Sequence, residues 1–434
     1  MFEEAEMHDV IVIGAGFAGC SAAREVRRAG LEPLVLEARD RIGGRTLTED
    51  WDGQRFELGA NFFHWFQPYV WTEIVAAGVT PVSMPEADRA YWTVNGESQS
   101  GSYEEREAIN TRAWNAYNEP SREILPRPHE PLAFPAQIAP YDQQTIRERM
   151  DSLGLSDEEY DVFSAEAEGA CSGSIDDVGA ISILRWHALS GHTLAGMQEA
   201  GGGIYVEEGT IAFLQPIIDA AACEVRLSTP IASITQHADH VVVTTRAGEE
   251  ITGKSVVVTV PLNVLHDIAF EPPLSDVKQG GIALGHGGVG SKMMLRVKGP
   301  NLRVNGMGPN HPFGYVATIF QYDDGEQMIV TFGREGALCR PDDLAWVQAE
   351  LDKLVPGFEV LSVRMHDWQA DEFSQGTWSM HRPGWYTTYH AEMQRPEGRL
   401  VLANSDLADG WAGFVDGAIE SGMRGGRIAA GMVH

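Results

Sequence analysis

Gly14, Gly16 and Gly19, followed by a carboxylate at Glu37, have the types and spacing that cradle a dinucleotide. Glycines in a G-x-G-x-x-G turn let the backbone approach a pyrophosphate, and a helix opening there aims its first N–H groups at that negative charge. The motif alone is weak, and its context decides. DVIVI ahead of it is an apolar run of strand length, CSAAREVRRAG behind it is an amphipathic helix ended by Gly30, and Glu37 closes the next apolar run, PLVLE. A carboxylate there accepts hydrogen bonds from a ribose 2′-hydroxyl and repels a 2′-phosphate, so the pattern favours FAD or NAD over NADP. A glycine turn without a ligand would explain the glycines but not the acid.

The elements that must position these residues read strand, turn, helix, strand, which is half of a doubly wound nucleotide fold. From about Pro81 to Ala200 the texture changes to charged, helix-favouring stretches such as SYEEREAINTRAWNAY and SDEEYDVFSAEAEGA, broken by the proline-rich EPSREILPRPHEPLAFP. After Gly201–Gly203 a β pattern returns in VRLSTPIASITQ, in VVVTTRAGEEI with a turn at Ala247 and Gly248, and in SVVVTVP. A mixed region follows from Ser291 to about Gln394, and the chain closes with the strand RLVLAN and the glycine-punctuated helix GFVDGAIESGMRGGRIAA. There is no internal repeat and no low-complexity tract.

The stretch after Glu37 narrows the dinucleotide. EARDRIGGR, running from Glu37 through Ala38, Arg39 and Gly44 to Arg45, resembles the FAD signature of the flavin amine oxidase family, which includes the monoamine oxidases and the bacterial hydroxynicotine oxidases. Arg45 would offer a charge-assisted fork to the pyrophosphate. The resemblance continues through FELGANFFH, with Gly59, Ala60 and Asn61 beside the flavin and Ala60 standing where the family usually has a second glycine. At the other end, LANSDLADGWAGFVDGAIESG resembles the family's C-terminal FAD motif. There Asp406 matches the acid of the ribityl chain, and Gly413 to Gly417, with Val415, match a helix start aimed at the ring. Asn404 replaces a frequent glycine. Ile231 and Trp368 complete the implied cofactor set. In the reaction chamber, Lys292 matches a lysine that holds water at the flavin, while Trp378 and Phe414 match two aromatics flanking the substrate amine. Without the resemblance, both aromatics would read as core packing.

The resemblance implies an α/β fold, with a discontinuous Rossmann-type FAD-binding domain over 1–80, 203–290 and 396–434. A substrate domain of mixed sheet and helices is inserted, its helical part over 81–202 and its sheet part over 291–395. It implies oxidation of a carbon–nitrogen bond in a primary, secondary or cyclic amine, giving an imine, with dioxygen reoxidising the flavin to yield hydrogen peroxide. Thr377 stands where the mitochondrial enzymes carry a flavin-bonding cysteine, so the FAD is expected to be noncovalent. Asn61-Phe62-Phe63 offers no arginine fork for an α-carboxylate, which disfavours amino-acid substrates. The alternatives are a flavin desaturase or a dehydrogenase with another electron acceptor, and a flavin-carrying protein without turnover.

Bulk composition bounds the rest. The 434 residues, 43% apolar and 22% charged, read as globular and long enough for more than one core. A formal charge of −30 repels phosphate, so neither nucleic acid nor anionic lipid is expected as a partner. It mildly favours a cationic small molecule, although solubility alone would select the same surface. Cys20, Cys171, Cys223 and Cys339 form no CxxC pair, so reduced thiols and no metal site are expected. MFEEAEMHDV lacks the features of a secretory leader and no apolar stretch has membrane-spanning length, giving a soluble, cytoplasmic expectation. A homodimer is compatible with the same resemblance.

Overall fold

The computed structural model describes residues 7–51 and 53–433, so the reading of the leading MFEEAE segment lies outside the described residues. At its centre is an eight-stranded sheet built around the Met7–Ile13 strand. Val10, Ile11 and Val12 have no exposed surface, the burial on both faces that a continuous apolar run requires. Met7–Ile13 pairs in parallel with Pro33–Leu36 on one side and with Glu250–Val258 on the other, and Glu224–Arg226 extends the sheet beyond Pro33–Leu36. The two stretches EI and SVVV, separate in the sequence pattern, run as this one strand Glu250–Val258. Gly253 inside it has a packing reason, because a Cβ there would stand 2.9 Å from the Ile11 side chain. One edge of Glu250–Val258 takes Val241–Thr245 in antiparallel pairing along its first half and Leu400–Leu402 in parallel along its second. That is how the last strand of the chain joins the first.

A second sheet of seven strands runs in the order Glu359–Met365, Ser291–Lys298, Glu326–Gly333, Tyr315–Gln321, Val304–Met307, Arg89–Val94 and Glu97–Gly101. The stretch 81–202 therefore contributes two strands to this sheet besides its helices. Asn95 and Gly96 connect those strands with φ of 50° and 78°, the paired positive values of a type I′ hairpin turn. Two helices that follow, Tyr103–Asn118 and Asp157–Cys171, each start with a capping box, Ser102 with Glu105 and Ser156 with Glu159. Among the described residues no helix is long and apolar enough to cross a membrane, and no cluster of three or more His, Cys, Asp or Glu side chains could hold a metal.

The Phe17–Arg28 helix packs along the C-terminal helix Val415–Gly431 at unusually close range. A Cβ added to Gly422 would stand 2.1 Å from the Ala18 carbonyl oxygen, and one added to Gly426 would stand 2.4 Å from that of Ala22. Small residues on both helices thus let the backbones touch, the start of Phe17–Arg28 lying against the middle of Val415–Gly431. Gly422→Ala should push the pair apart and destabilise the fold by about 1–3 kcal/mol, the usual scale of overpacking. Thermal melting checks this; an unchanged midpoint would show that the helices have slack.

Candidate active site

The C-terminal ends of the parallel strands open on one cleft with about 1290 Å³ of empty space, counting what is open to solvent. Ile13 and Gly14 reach it from the first strand, Leu36 and Glu37 from the second, and Thr259, Val260 and Pro261 from the end of Glu250–Val258. Gly16 faces Gly44 across it, a Cβ on Gly44 lying 3.3 Å from the Gly16 Cα, so the two backbones form a floor with no side chain between them. Gly19 is not on the wall. Its Cβ would lie 1.8 Å from the Gly14 carbonyl oxygen, so it serves helix-to-turn packing. Both helices that start here lack a side-chain cap, Gly16 and Phe414 being their N-cap residues, which leaves first-turn N–H groups of each free for an anion or a ring oxygen.

Glu37, 3% exposed, organises this cradle as well as lining it. Its two carboxyl oxygens accept from the backbone N–H groups of Ala15 at 2.6 Å and Arg39 at 2.9 Å. Arg39 donates to Asp371 at 2.6 Å and Ser374 at 2.8 Å. Arg45 donates to the Thr377 carbonyl at 2.7 Å, to Ser405 Oγ at 2.6 Å and to Asp406 Oδ1 at 2.6 Å. The structure places Asp406 behind the wall, fully buried, with Oδ2 accepting from the Leu262 N–H at 2.8 Å. Burial alone would raise its carboxyl, but the Arg45 guanidinium overrides this and holds it well below the usual carboxylate range. Arg45, Thr377 and Ser405 reach the cleft, whereas Asp406 does not.

Three departures from the family pattern acquire local explanations. Asn404 donates to the Val260 carbonyl at 2.6 Å and accepts from the Asp406 N–H at 3.0 Å, tying the last strand to its neighbour in place of a glycine turn. A Cβ on Gly59 would sit 2.2 Å from the Arg45 carbonyl oxygen, whereas the methyl of Ala60 lies on the open cleft wall. Thr377 lies on the wall with its hydroxyl donating to Ser172 Oγ at 3.1 Å, and it offers no sulfur for a flavin thioether.

A second cavity, of about 2140 Å³, meets the first. Trp378, Phe414, Ala60, Gly59, Gly413 and Val415 line both, so these residues form the junction. Trp378 donates its indole N–H to the Ala170 carbonyl at 3.0 Å and packs on Phe332 with ring centroids 6.0 Å apart. Phe414 packs edge-on against Trp186 and Trp411, each 5.1 Å away. Lys292, on the Ser291–Lys298 strand, is 3% exposed and donates to the Gly59 carbonyl and to Asn61 Oδ1, both at 2.8 Å. Its Nζ stands 5.9 Å from the ring centre of Phe62 and 5.8 Å from that of Phe332. Burial pushes the ammonium below the ordinary lysine range, and the charge of Glu57 pulls it back. Trp368 lines the first cleft with its indole N–H donating to the Leu58 carbonyl at 2.8 Å, and Ile231 and Ala38 line it too. Asn61 lines the second cavity and not the first.

The C-terminal helix is anchored by Asp416, whose Oδ1 accepts from the N–H groups of Tyr69 at 2.7 Å and Val70 at 2.9 Å. Burial pushes this carboxyl from an ordinary 3.8 up to about 7, against the pull of the Val70 N–H. The folded protein therefore keeps a proton that the unfolded chain releases above about 3.8, and stability falls as pH rises from there through about 7. Asp416→Asn should flatten that slope and gain on the order of 1 kcal/mol relative to the parent at high pH, the dipole at the helix N-terminus trimming a larger effect. Denaturant titrations at pH values on either side of the window check it; parallel slopes would contradict the assignment.

Comparison with known proteins follows the same outline. The sequence model described as flavin containing amine oxidoreductase matches residues 17–427. The chain is similar to the pseudooxynicotine dehydrogenase of Pseudomonas sp, at 36% identity over 96% of this chain and 85% of that protein. It is also similar to the (S)-6-hydroxynicotine oxidase of Paenarthrobacter nicotinovorans, at 26% identity over 96% of this chain and 97% of that one. Among solved structures, putrescine oxidase bound to putrescine superposes with a TM-score of 0.82 at 20% identity, covering 97% of this chain and 98% of that chain. At that identity the likeness speaks to fold.

Proposed function

Given that the chain belongs to the flavin-containing amine oxidoreductase family and is an FAD-dependent enzyme of carbon–nitrogen oxidation, we propose that it converts a primary, secondary or cyclic amine to an imine at the junction of its two cavities, with dioxygen as the electron acceptor and hydrogen peroxide as product. The carrying observation is that Trp378 and Phe414 each line both the dinucleotide cleft and the second cavity. In the proposed complex the Gly14–Gly16–Gly44 floor and the two uncapped helix ends take the pyrophosphate and the ring edge, while Glu37 takes the adenosine ribose. When bound, the flavin supplies a two-electron acceptor that takes a hydride from the carbon next to the amine nitrogen.

The rest of the mechanism belongs to the side chains. Trp378 and Phe414 hold the amine between ring faces, and the apolar surroundings of Phe332 and Trp186 favour the uncharged amine, which can release the hydride. When protonated, Lys292 has three N–H donors and spends two on Gly59 and Asn61, leaving one to orient a water at the cleft. Reduced thiols and the acidic surface fit a cytoplasmic location.

A second reading concerns the acceptor, since the relative at 36% identity is named a dehydrogenase. The two are separated by following oxygen uptake, peroxide and carbonyl product during turnover of an amine. One peroxide per carbonyl supports oxidase chemistry. Carbonyl formation that needs an added dye or redox protein, with no peroxide, replaces it with the dehydrogenase reading.

A further inference from the structure

Two lysines of this fold are buried, and they are held differently. Lys278, with no exposed surface, donates to the Glu397 carboxylate at 2.9 Å. The buried Arg106 is matched in the same way: on the wall of the second cavity, which it shares with Glu107 and Glu166, it donates to Glu107. Lys292 donates to neutral oxygens, and among the described residues no carboxylate touches its Nζ. A lysine so placed gives up its proton readily unless a charge nearby favours the cation.

Glu57 supplies that charge. It ends the strand Gln54–Glu57, two residues before Gly59 and four before Asn61, the residues that hold the lysine. Leu58 continues the pairing by donating its N–H to the Leu47 carbonyl at 2.9 Å. Residues two apart on such an extended chain face the same side, roughly 7 Å from each other. Glu57 and Asn61 accordingly line one small third cavity together. The Glu57 carboxyl is fixed in place, Oε1 accepting from Thr48 Oγ1, from the Thr210 N–H at 2.7 Å and from Thr210 Oγ1 at 2.9 Å. Such donors favour the ionised form, as does the N-terminus of the helix Ile211–Asp219 that Thr210 precedes. Burial holds the carboxyl above its ordinary range, while Thr48, Thr210 and the charge of Lys292 pull the other way. Phe62 and Phe332 are the rings nearest the ammonium, and among the described residues Glu57 is the one charge that acts on it. Capping the helix accounts for the threonines. It leaves the buried lysine without a reason to keep its proton.

We propose that Glu57 is a positioning residue for the flavin half-reactions, its carboxylate keeping Lys292 in the ammonium form. This rests on the reading of Lys292 as a cation acting on the bound flavin.

The flavin midpoint potential, titrated at equilibrium against reference dyes over a range of pH, reads the charge on Lys292 without turnover, because a nearby ammonium stabilises negative charge on the reduced ring. Stopped-flow rates of both half-reactions give a second profile. In the FAD-loaded parent both profiles should stand apart from those of Lys292→Met at low pH and join them as the ammonium is lost. Glu57→Gln should join them at a pH lower by about one unit or more, a roughly tenfold weaker hold of the lysine on its proton. Glu57→Asp, which keeps the charge, should stay closer to the parent, and Glu57→Gln should shift nothing further in the Lys292→Met background. Parent profiles in Glu57→Gln, or the same shift with and without the lysine, overturn the role and leave Glu57 a helix cap. Should Glu57→Gln fail to hold FAD, Thr48→Val withdraws one donor from the carboxylate and should shift the profiles the same way by a smaller step; no shift there overturns the role equally. Lys292→Met profiles that match the parent at every pH remove the reading of Lys292 itself, and the role of Glu57 with it.

Discussion

Lys292→Met should slow the reaction of the reduced protein with dioxygen, its reduction by amine, or both, by tenfold or more, a barrier change of at least about 1.4 kcal/mol. The reason is electrostatic. A partly charged ammonium, 3% exposed among Phe62 and Phe332, acts in a medium of low dielectric where its field on charge developing in the cleft is weakly screened. Methionine keeps the length and apolar contacts of the side chain. It leaves the Gly59 carbonyl and Asn61 Oδ1 without their donor, a loss of roughly 1–3 kcal/mol, but it also removes a buried cation whose desolvation the fold now bears. Those terms oppose each other, so the variant should fold and carry its flavin. Stopped-flow measurement of both half-reactions on fully flavinated protein checks the prediction. Parent rates in both would reduce Lys292 to a strand-packing residue.

Glu37→Ala should weaken FAD binding about a hundredfold, or ~2.7 kcal/mol. The carboxylate contributes twice. In the proposed complex it accepts from the adenosine ribose, and in the protein it already holds the Ala15 and Arg39 N–H groups that shape the cradle. Losing it removes the ribose contact and loosens both strands' exits at once. The variant should purify with little flavin and recover it only at elevated FAD, as read from quenching of protein fluorescence on titration. An affinity within about twofold of the parent would mean that Glu37 shapes an otherwise self-sufficient turn.

The N-terminal cradle was legible in the sequence because its determinants are local. An apolar run, three glycines, a helix and an acid lie within Asp9–Glu37, each element dictating the next. Lys292, Trp378, Phe414 and Asp406 come from distant parts of the chain, and their choice rested on resemblance; no spacing rule could have joined them. Asp406 illustrates the limit, since the fold sets it behind Arg45 and brings Ser405 to the wall instead. Thr259, Val260 and Pro261 went unremarked because apolar and backbone groups carry no chemical signature, although their place after SVVV, at a parallel strand's exit, was a usable signal. The same holds for TVNGES, where the Asn95-Gly96 dipeptide between β-favouring runs announces the hairpin that joins the second sheet. Arg106, Glu107 and Glu166 were hidden for another reason: charges on amphipathic helices ordinarily face water, and only the packing of Tyr103–Asn118 against Asp157–Cys171 turns these toward a cavity.

Hydride release from an amine at the Trp378–Phe414 junction can be followed by mixing the FAD-loaded protein anaerobically with a panel of primary, secondary and cyclic amines and recording the flavin absorbance. Bleaching should follow at a rate that saturates with amine concentration, with a matching amount of imine or carbonyl product and return of the yellow colour when air or another acceptor is admitted. Flavin that dithionite reduces but no amine on the panel bleaches would contradict it.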